Sequence, residues 1–370
     1  MALFTDDHPA PKPRHRRLTR IGWTLLLAAL FGTFAFATLP TPYVIEQPGP
    51  VFNTLGKVSY EHHQVPLIDI PDEKTYPTSG TLDMLTVNVA GSREQSPSWL
   101  EVAQAWLDSS QAVLPIDLVY PQGESQQQSN EAATIDMQNS QKDAVAAALT
   151  KLGYTFPSAL TVGSLSPKSP SDGVLKNGDT IVSVNGETAS TVLGLRAIIA
   201  KTGAGTPVNV DILRDGKPQT LQVTPVLSSD TKPAPIIGII PAITYTFPFT
   251  VKIQLENVGG PSAGQMFALG IIDKLTPGEL NGGANVAGTG TITAEGEVGA
   301  IGGIRQKMYG ALDAGARWFL APYSNCDEMT GHIPKGLTVL AVKNLDDSLA
   351  ALKAIRTKAD TSKLLTCPAG

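Results

Sequence analysis

From Ile21 to Leu39 the chain runs IGWTLLLAALFGTFAFATL without a charged residue. At ~1.5 Å per helical residue, these nineteen positions match the ~30 Å hydrocarbon core of a bilayer. Lys12, Arg14, Arg16, Arg17 and Arg20 precede the run, and the next Lys or Arg is Lys57. That asymmetry predicts a cytoplasmic tail over 1–20, a transmembrane anchor over 21–39, and the rest of the chain outside the cytoplasm. Ala35-Phe36-Ala37 fits a small-x-small cleavage site. The apolar run nevertheless exceeds the usual ~7–15-residue signal core, which favours an uncleaved anchor.

Beyond the anchor the period changes. Thr81 to Val89 alternates partly with period two and reads as a strand. Pro97 to Asp108 spaces Trp99, Leu100, Val102, Ala103, Trp106 and Leu107 as a short amphipathic helix, whose apolar residues are expected in a core. Residues 122–130, QGESQQQSN, read as a polar loop. A helix is expected from about Glu131 to Leu152, capped by Ser129 or Asn130. Residues 40–153 together form an N-terminal extracytoplasmic region. In 154–226, two Asn-Gly turn signals within Leu175–Gly186 stand around an apolar strand, a helix covers Thr191–Lys201, and Asp215-Gly216 turns a hairpin. Thr231–Pro235 reads as a linker. Residues 236–355 then read strand–loop–helix–hairpin–helix–strand–helix, with a C-terminal tail over 356–370.

Composition narrows the classes. Hydrophobic residues make up 42% and charged residues 16%, as in a globular chain. The net charge of −5 gives no basic footprint, so no nucleic-acid partner is expected. The two cysteines, Cys326 and Cys367, form no C-x-x-C pair, and neither a metal nor a cofactor is expected. In an oxidising compartment they are a candidate disulfide.

The candidate chemistry centres on Asn257-Val258-Gly259-Gly260-Pro261-Ser262-Ala263-Gly264. A strand-like run, Thr250–Leu255, leads in, and a helix-like run, Gln265–Leu275, leads out. Ser262 therefore sits near a helix N-terminus, where unpaired N–H groups and the dipole favour an oxyanion. Three readings compete. G-x-S-x-G also marks the nucleophile elbow of α/β-hydrolases, which needs a downstream acid and histidine. Of the five histidines only His332 follows Ser262, with Asp313 or Asp327 in chain order, and the remaining chain is short for that fold. A glycine-rich loop at a helix start can also cradle phosphate, but no second phosphate-binding motif is present. The third reading uses Lys307, which follows Gly302-Gly303 at the start of a helix. A glycine pair lets that helix pack closely. A lysine buried there loses its preference for the charged form and can take the serine proton.

Two sets of motifs resemble known families. Leu175-Lys176-Asn177-Gly178-Asp179-Thr180-Ile181-Val182-Ser183-Val184-Asn185-Gly186 resembles a PDZ domain over 154–226. The resemblance implies a peptide added as a strand beside Tyr154–Leu165, against a helix near Leu193–Ala200; a rigid spacer that binds nothing is the alternative. The Pro261-Ser262-Ala263-Gly264 loop, followed by Thr289-Gly290-Thr291-Ile292-Thr293 and Gly302-Gly303-Ile304-Arg305-Gln306-Lys307, is similar to the proteolytic domain of Lon-type serine proteases over 236–355. Gly259 and Thr291 depart from that pattern, where many such sequences carry a charged residue and Glu. The resemblance implies Ser262 as nucleophile, Lys307 as general base, and Thr289 in support; the backbone N–H groups around Gly260 and Ser262 are expected to stabilise the oxyanion. The fold implied is multidomain α+β: an N-terminal transmembrane helix, a β-rich PDZ-like domain and a Lon-type α+β domain of the ribosomal protein S5 domain 2-like class. The whole resembles bacterial membrane-anchored PDZ–Lon-like proteases. Such an enzyme acts without ATP on protein or peptide segments, the membrane is a partner through residues 21–39, and a homo-oligomer is a candidate assembly. A catalytically silent PDZ scaffold and a Ser-His hydrolase using His332 are the alternatives.

Overall fold

A computed structural model describes residues 15–120, 126–166, 168–189, 192–228 and 233–367. Residues 1–14 of the expected tail, 121–125 of the polar loop, 190–191 at the start of the expected second helix, 229–232 of the linker and 368–370 lie outside the described residues. The chain divides into two compact units. One takes in residues up to Gly49 together with Val87–Ser129; the other takes in Pro50–Thr86 together with Asn130 onward.

In the first unit, helix α1 (His15–Thr38) contains Arg20–Thr38, the one stretch among the described residues long and apolar enough to cross a membrane. Within it the Thr33 hydroxyl donates to the Ala29 carbonyl, so this polar group is satisfied inside the helix. Helix α2 (Trp99–Leu107) starts with a capping box. Ser98 Oγ accepts from Glu101 N–H, and the Glu101 carboxylate accepts from Ser98 N–H at 2.7 Å. Val102 and Ala105 are buried, whereas Trp106 is 63% and Leu107 is 90% exposed. The expectation of a packed apolar face is therefore corrected: only Val102 and Ala105 of this helix are buried. Trp99 does pack, edge to face against Tyr43. The strand Ala112–Pro115 pairs antiparallel with Tyr43–Glu46 and runs into a single turn, α3 (Ile116–Val119).

A long helix, α4 (Gln126–Lys151), starts five residues before the expected Glu131, so Ser129 and Asn130 lie inside it rather than capping it. Its second half, Ala144 to Leu149, is buried. The chain then forms a five-strand antiparallel path with its own core around Leu160, Ile181, Val210 and Ile212. The order is Lys217–Val223, Val208–Arg214, Thr180–Val184, Ser158–Leu165 and Ile239–Tyr245, with helix α5 (Val192–Thr202) packed against this core. Asp179 locks the loop before the Thr180 strand. Its carboxylate accepts from Arg214 Nε and Nη2 at 2.8 and 2.7 Å, and from Lys176 N–H at 2.7 Å.

This topology corrects one expectation. Ser158–Leu165 is paired along its full length with Ile239–Tyr245, and on its other side with Thr180 and Ile181. One edge is filled throughout and the other over Leu160–Val162, which leaves no continuous free edge for a peptide. The open edge is Ile239–Tyr245, where Ile240 is 58% exposed. The expected linker therefore does not close the β-rich unit at 226.

The remaining chain builds a parallel sheet. Thr338–Val342, Trp318–Pro322, Asn285–Gly288 and Thr81–Ala90 lie side by side in that order. Alternate residues face opposite sides. Leu82, Met84, Val286, Leu320 and Leu340 join one core with α6 (Gly264–Leu275), while Leu85, Ala287, Phe319, Ala321 and Val339 join a second with α7 (Ile304–Asp313) and α8 (Cys326–Met329). Helix α9 (Leu345–Thr357) covers the first face through Leu352 and Ile355. Covering both faces is what a parallel sheet requires. The first core also contains Leu67, Ile68 and the buried face of α4. Residues 247–355 thus share one core with segments from 52–152, and the β-rich unit, which includes Ile239–Tyr245, is inserted between them.

Candidate active site

The strand-like run before the serine loop is short, Lys252–Ile253, paired with Ile68–Asp69. The chain then turns through Asn257 (φ 57°) and Gly260 (φ 84°). A left-handed conformation at Gly260 suits glycine alone among unstrained residues. Gly259 is glycine for a different reason: a Cβ there would lie 2.7 Å from the Ala133 Cβ of α4. That close approach accounts for the absence of a charged side chain at this position. Gly264, the first residue of α6, is likewise held against Ile292 and Ser140, each 2.8 Å from where its Cβ would stand.

Helix α4 cradles the loop with two hydrogen bonds. Gly260 N–H donates to the Ala133 carbonyl (2.8 Å), and Ser140 Oγ donates to the Pro261 carbonyl (2.8 Å). The first bond corrects the role expected for Gly260, because its N–H is already used within the fold. The N–H groups of Ser262 and Ala263 stand at the N-terminus of α6 and have no hydrogen-bond partner among the described residues.

Lys307 arrives from the other side. Gly303 adopts a left-handed conformation (φ 66°) and caps α7, whose Lys307 N–H bonds back to the Gly303 carbonyl (3.0 Å). Asn325 fixes the approach: its side-chain amide accepts from Ile301 N–H (3.0 Å) and donates to the Ile301 carbonyl (2.8 Å). Lys307 is 2% exposed, and its Nζ lies 2.8 Å from Ser262 Oγ and 3.3 Å from Thr289 Oγ1. The Thr289 hydroxyl donates to the Ser262 carbonyl (2.9 Å), which also accepts Gly290 N–H (2.8 Å). Thr289 therefore presents its lone pairs to the lysine while pinning the serine backbone.

Ser262 is partly exposed and reachable, while the amine behind it is buried. His332 is exposed on the turn after α8 and makes no hydrogen bond to Ser262. Cys326 and Cys367 are disulfide-bonded, with Cα atoms 5.1 Å apart. The residues that sequence reasoning missed are Ala133, Ser140 and Asn325. The spacing Ala133, Met137, Ser140, Ala144 on one helix face was the available signal for the first two.

Two glycine-shaped turns thus hold a serine hydroxyl and a buried amine within hydrogen-bond distance of each other. Residues 257–354 match the family model of the Lon protease (S16) C-terminal proteolytic domain, and residues 134–224 match that of the PDZ domain. The chain thus carries one segment similar to the Lon proteolytic domain and one similar to a PDZ domain, within a multidomain α+β fold. The Lon protease of Buchnera aphidicola subsp. Schizaphis graminum is 38% identical over 93 residues, covering 24% of this chain and 12% of that protein. The Lon protease of Geobacter metallireducens is 39% identical over 94 residues, 25% of this chain and 11% of that one. The chain thus spans 11 to 12% of the length of these curated relatives. The PDZ domain of an SdrC-like protein from Listeria monocytogenes is 23% identical and covers 22% of this chain and 86% of that one, at a TM-score of 0.21, which carries no structural argument.

Proposed function

We propose that this chain is a serine endopeptidase in which Ser262 is the nucleophile and Lys307 the general base. The observation that carries this reading is the 2.8 Å approach of a buried Lys307 Nζ to Ser262 Oγ. Burial favours the neutral amine that a base must be at the start of the reaction. Ser262 Oγ attacks the scissile carbonyl as Lys307 takes its proton, and the N–H groups of Ser262 and Ala263 receive the oxyanion. Lys307 then gives the proton to the leaving amine, and a water activated by the same amine releases the acyl group. Thr289 keeps the amine aimed at the nucleophile.

The enzyme is anchored through residues 21–39, its catalytic part lies outside the cytoplasm, and it works on flexible protein segments without ATP-driven unfolding. A peptide meets the PDZ domain at the open edge Ile239–Tyr245. From there the chain runs directly into the serine loop, so a partner held on that edge stands on the segment that leads to Ser262.

Cleavage of an unfolded protein by the detergent-solubilised full chain tests the reading. Ser262→Ala and Lys307→Ala should each abolish cleavage. Retained activity in Lys307→Ala with loss in His332→Ala would move the assignment to a Ser-His hydrolase.

A further inference from the structure

A groove of about 720 Å³ runs between helix α4 and the segment that enters the serine loop. It ends at Gly259, three residues before Ser262. One wall is α4, where Asn130, Thr134, Gln138 and Gln141 follow one another at helical spacing. The other wall carries Ile253, Leu255, Asn257 and Val258. Met137, 4% exposed, forms part of the floor. Among the described residues that line the groove, none carries a charge.

The entering segment also offers backbone groups. Gln254 N–H donates to the Leu67 carbonyl (2.8 Å), and Lys252–Ile253 pairs with Ile68–Asp69. In an antiparallel ladder the backbone groups of alternate residues point to opposite sides. Those of Ile253 and Leu255 therefore point away from that partner, along a segment that lines the groove. An extended peptide can pair with them and drop one side chain between the apolar floor and the amide rim.

Resting on the Ser262–Lys307 reading, we infer that this groove is the side-chain subsite that selects where the chain cleaves, and that it takes an uncharged residue. Leu, Met or Gln fits it: the floor matches the methylenes and the amides of Gln138, Gln141 and Asn257 match a polar tip. Asp, Glu, Lys or Arg enters with no counter-charge and loses its hydration, which is unfavourable without a partner. Gln138 and Gln141 are thus specificity-determining residues.

The test uses the full chain in detergent and a set of quenched fluorescent peptides that share one cleaved sequence. Each position flanking the cut is varied in turn among Leu, Gln, Glu and Lys. The wild-type chain should disfavour Glu and Lys by at least ~10-fold in kcat/KM at one position, the scale on which a pocket discriminates. Gln141→Glu should raise cleavage of the Lys peptide at that position by ~10-fold, and Gln141→Lys should do the same for the Glu peptide. Gln138→Glu and Gln138→Lys form an independent second pair on the exposed rim. Equal tolerance of charge at every position, or variants that cleave with the wild-type preference, would overturn the inference while leaving the dyad intact. Loss of all Ser262-dependent cleavage in the wild-type chain would overturn the dyad and the groove together.

Discussion

Replacing Tyr245 by Phe tests how the inserted PDZ domain is tied to the helix that holds the serine loop. The Tyr245 hydroxyl donates to Asp143 Oδ1 on α4 at 3.0 Å. The ring stacks on Phe247 at 5.4 Å and meets Phe156 edge to face at 6.0 Å, contacts that a Phe keeps. Burial raises the Asp143 carboxyl above the ordinary carboxylate range; the Tyr245 donor works against this, and the nearby Glu295 charge reinforces it. Burial first, and then the Asp143 charge, push the tyrosine's own pKa far up, so it remains a donor. Removing the hydroxyl leaves a largely buried carboxylate short of one partner, a loss of ~1–3 kcal/mol. At ~2–4 °C per kcal/mol for a large domain, melting should fall by roughly 2–12 °C. The sign with pH follows from linkage. A carboxyl whose folded pKa is raised contributes stability below its unfolded pKa and loses it as pH rises through the folded value. Without its donor the folded pKa rises further, so the difference between Tyr245→Phe and wild type should be largest near pH ~8. It should shrink in acid, as pH falls through the raised folded pKa and the carboxyl takes up a proton in both proteins. Thermal melts of both proteins at the higher pH and in acid measure it. No loss at the higher pH, or an equal loss at both, would refute the reasoning.

Three further outcomes are expected. Thr289→Val removes the hydroxyl that links Lys307 Nζ to the Ser262 carbonyl, and should lower kcat on a peptide by ~10-fold with KM little changed, the mark of an aiming role. Arg214 holds the Asp179 carboxyl below its usual range, so the stability this pair gives the PDZ domain should be present above the unfolded carboxylate pKa and lost as pH falls through the lower folded value. Hydrogen exchange of the Thr180–Val184 strand across an acid series reads that loss directly. Replacing Cys326 and Cys367 together by Ser opens a loop with a sequence separation of 41 and should cost about 4 kcal/mol in the chain-entropy estimate, seen as a lower denaturation midpoint.

The serine loop and Lys307 were legible because their constraints are local. Positive φ at Gly260 and Gly303, the helix starts at Gly264 and Ile304, and the hairpin turn at Gly296 all follow from glycine placement and short-range periodicity. Helix α4 was legible as a helix but not as part of the catalytic core. Its bond to the serine loop and its share of the core that holds α6 span more than a hundred residues of sequence, and no local period records a partner at that distance. The Ile239–Tyr245 strand was read with the wrong domain for the same reason: it follows a proline-rich stretch, and its partner Ser158–Leu165 lies about eighty residues earlier. The Gly260 N–H was misassigned because a turn at a helix start offers several donors, and only the packed helix decides which are consumed.

The dyad itself is tested most directly by labelling with a fluorophosphonate, an active-site serine reagent, followed by mass spectrometry of the modified peptide. The account predicts modification at Ser262 at neutral pH, its loss in Lys307→Ala, and wild-type labelling in His332→Ala. Labelling of Ser262 that persists in Lys307→Ala and disappears in His332→Ala would contradict it.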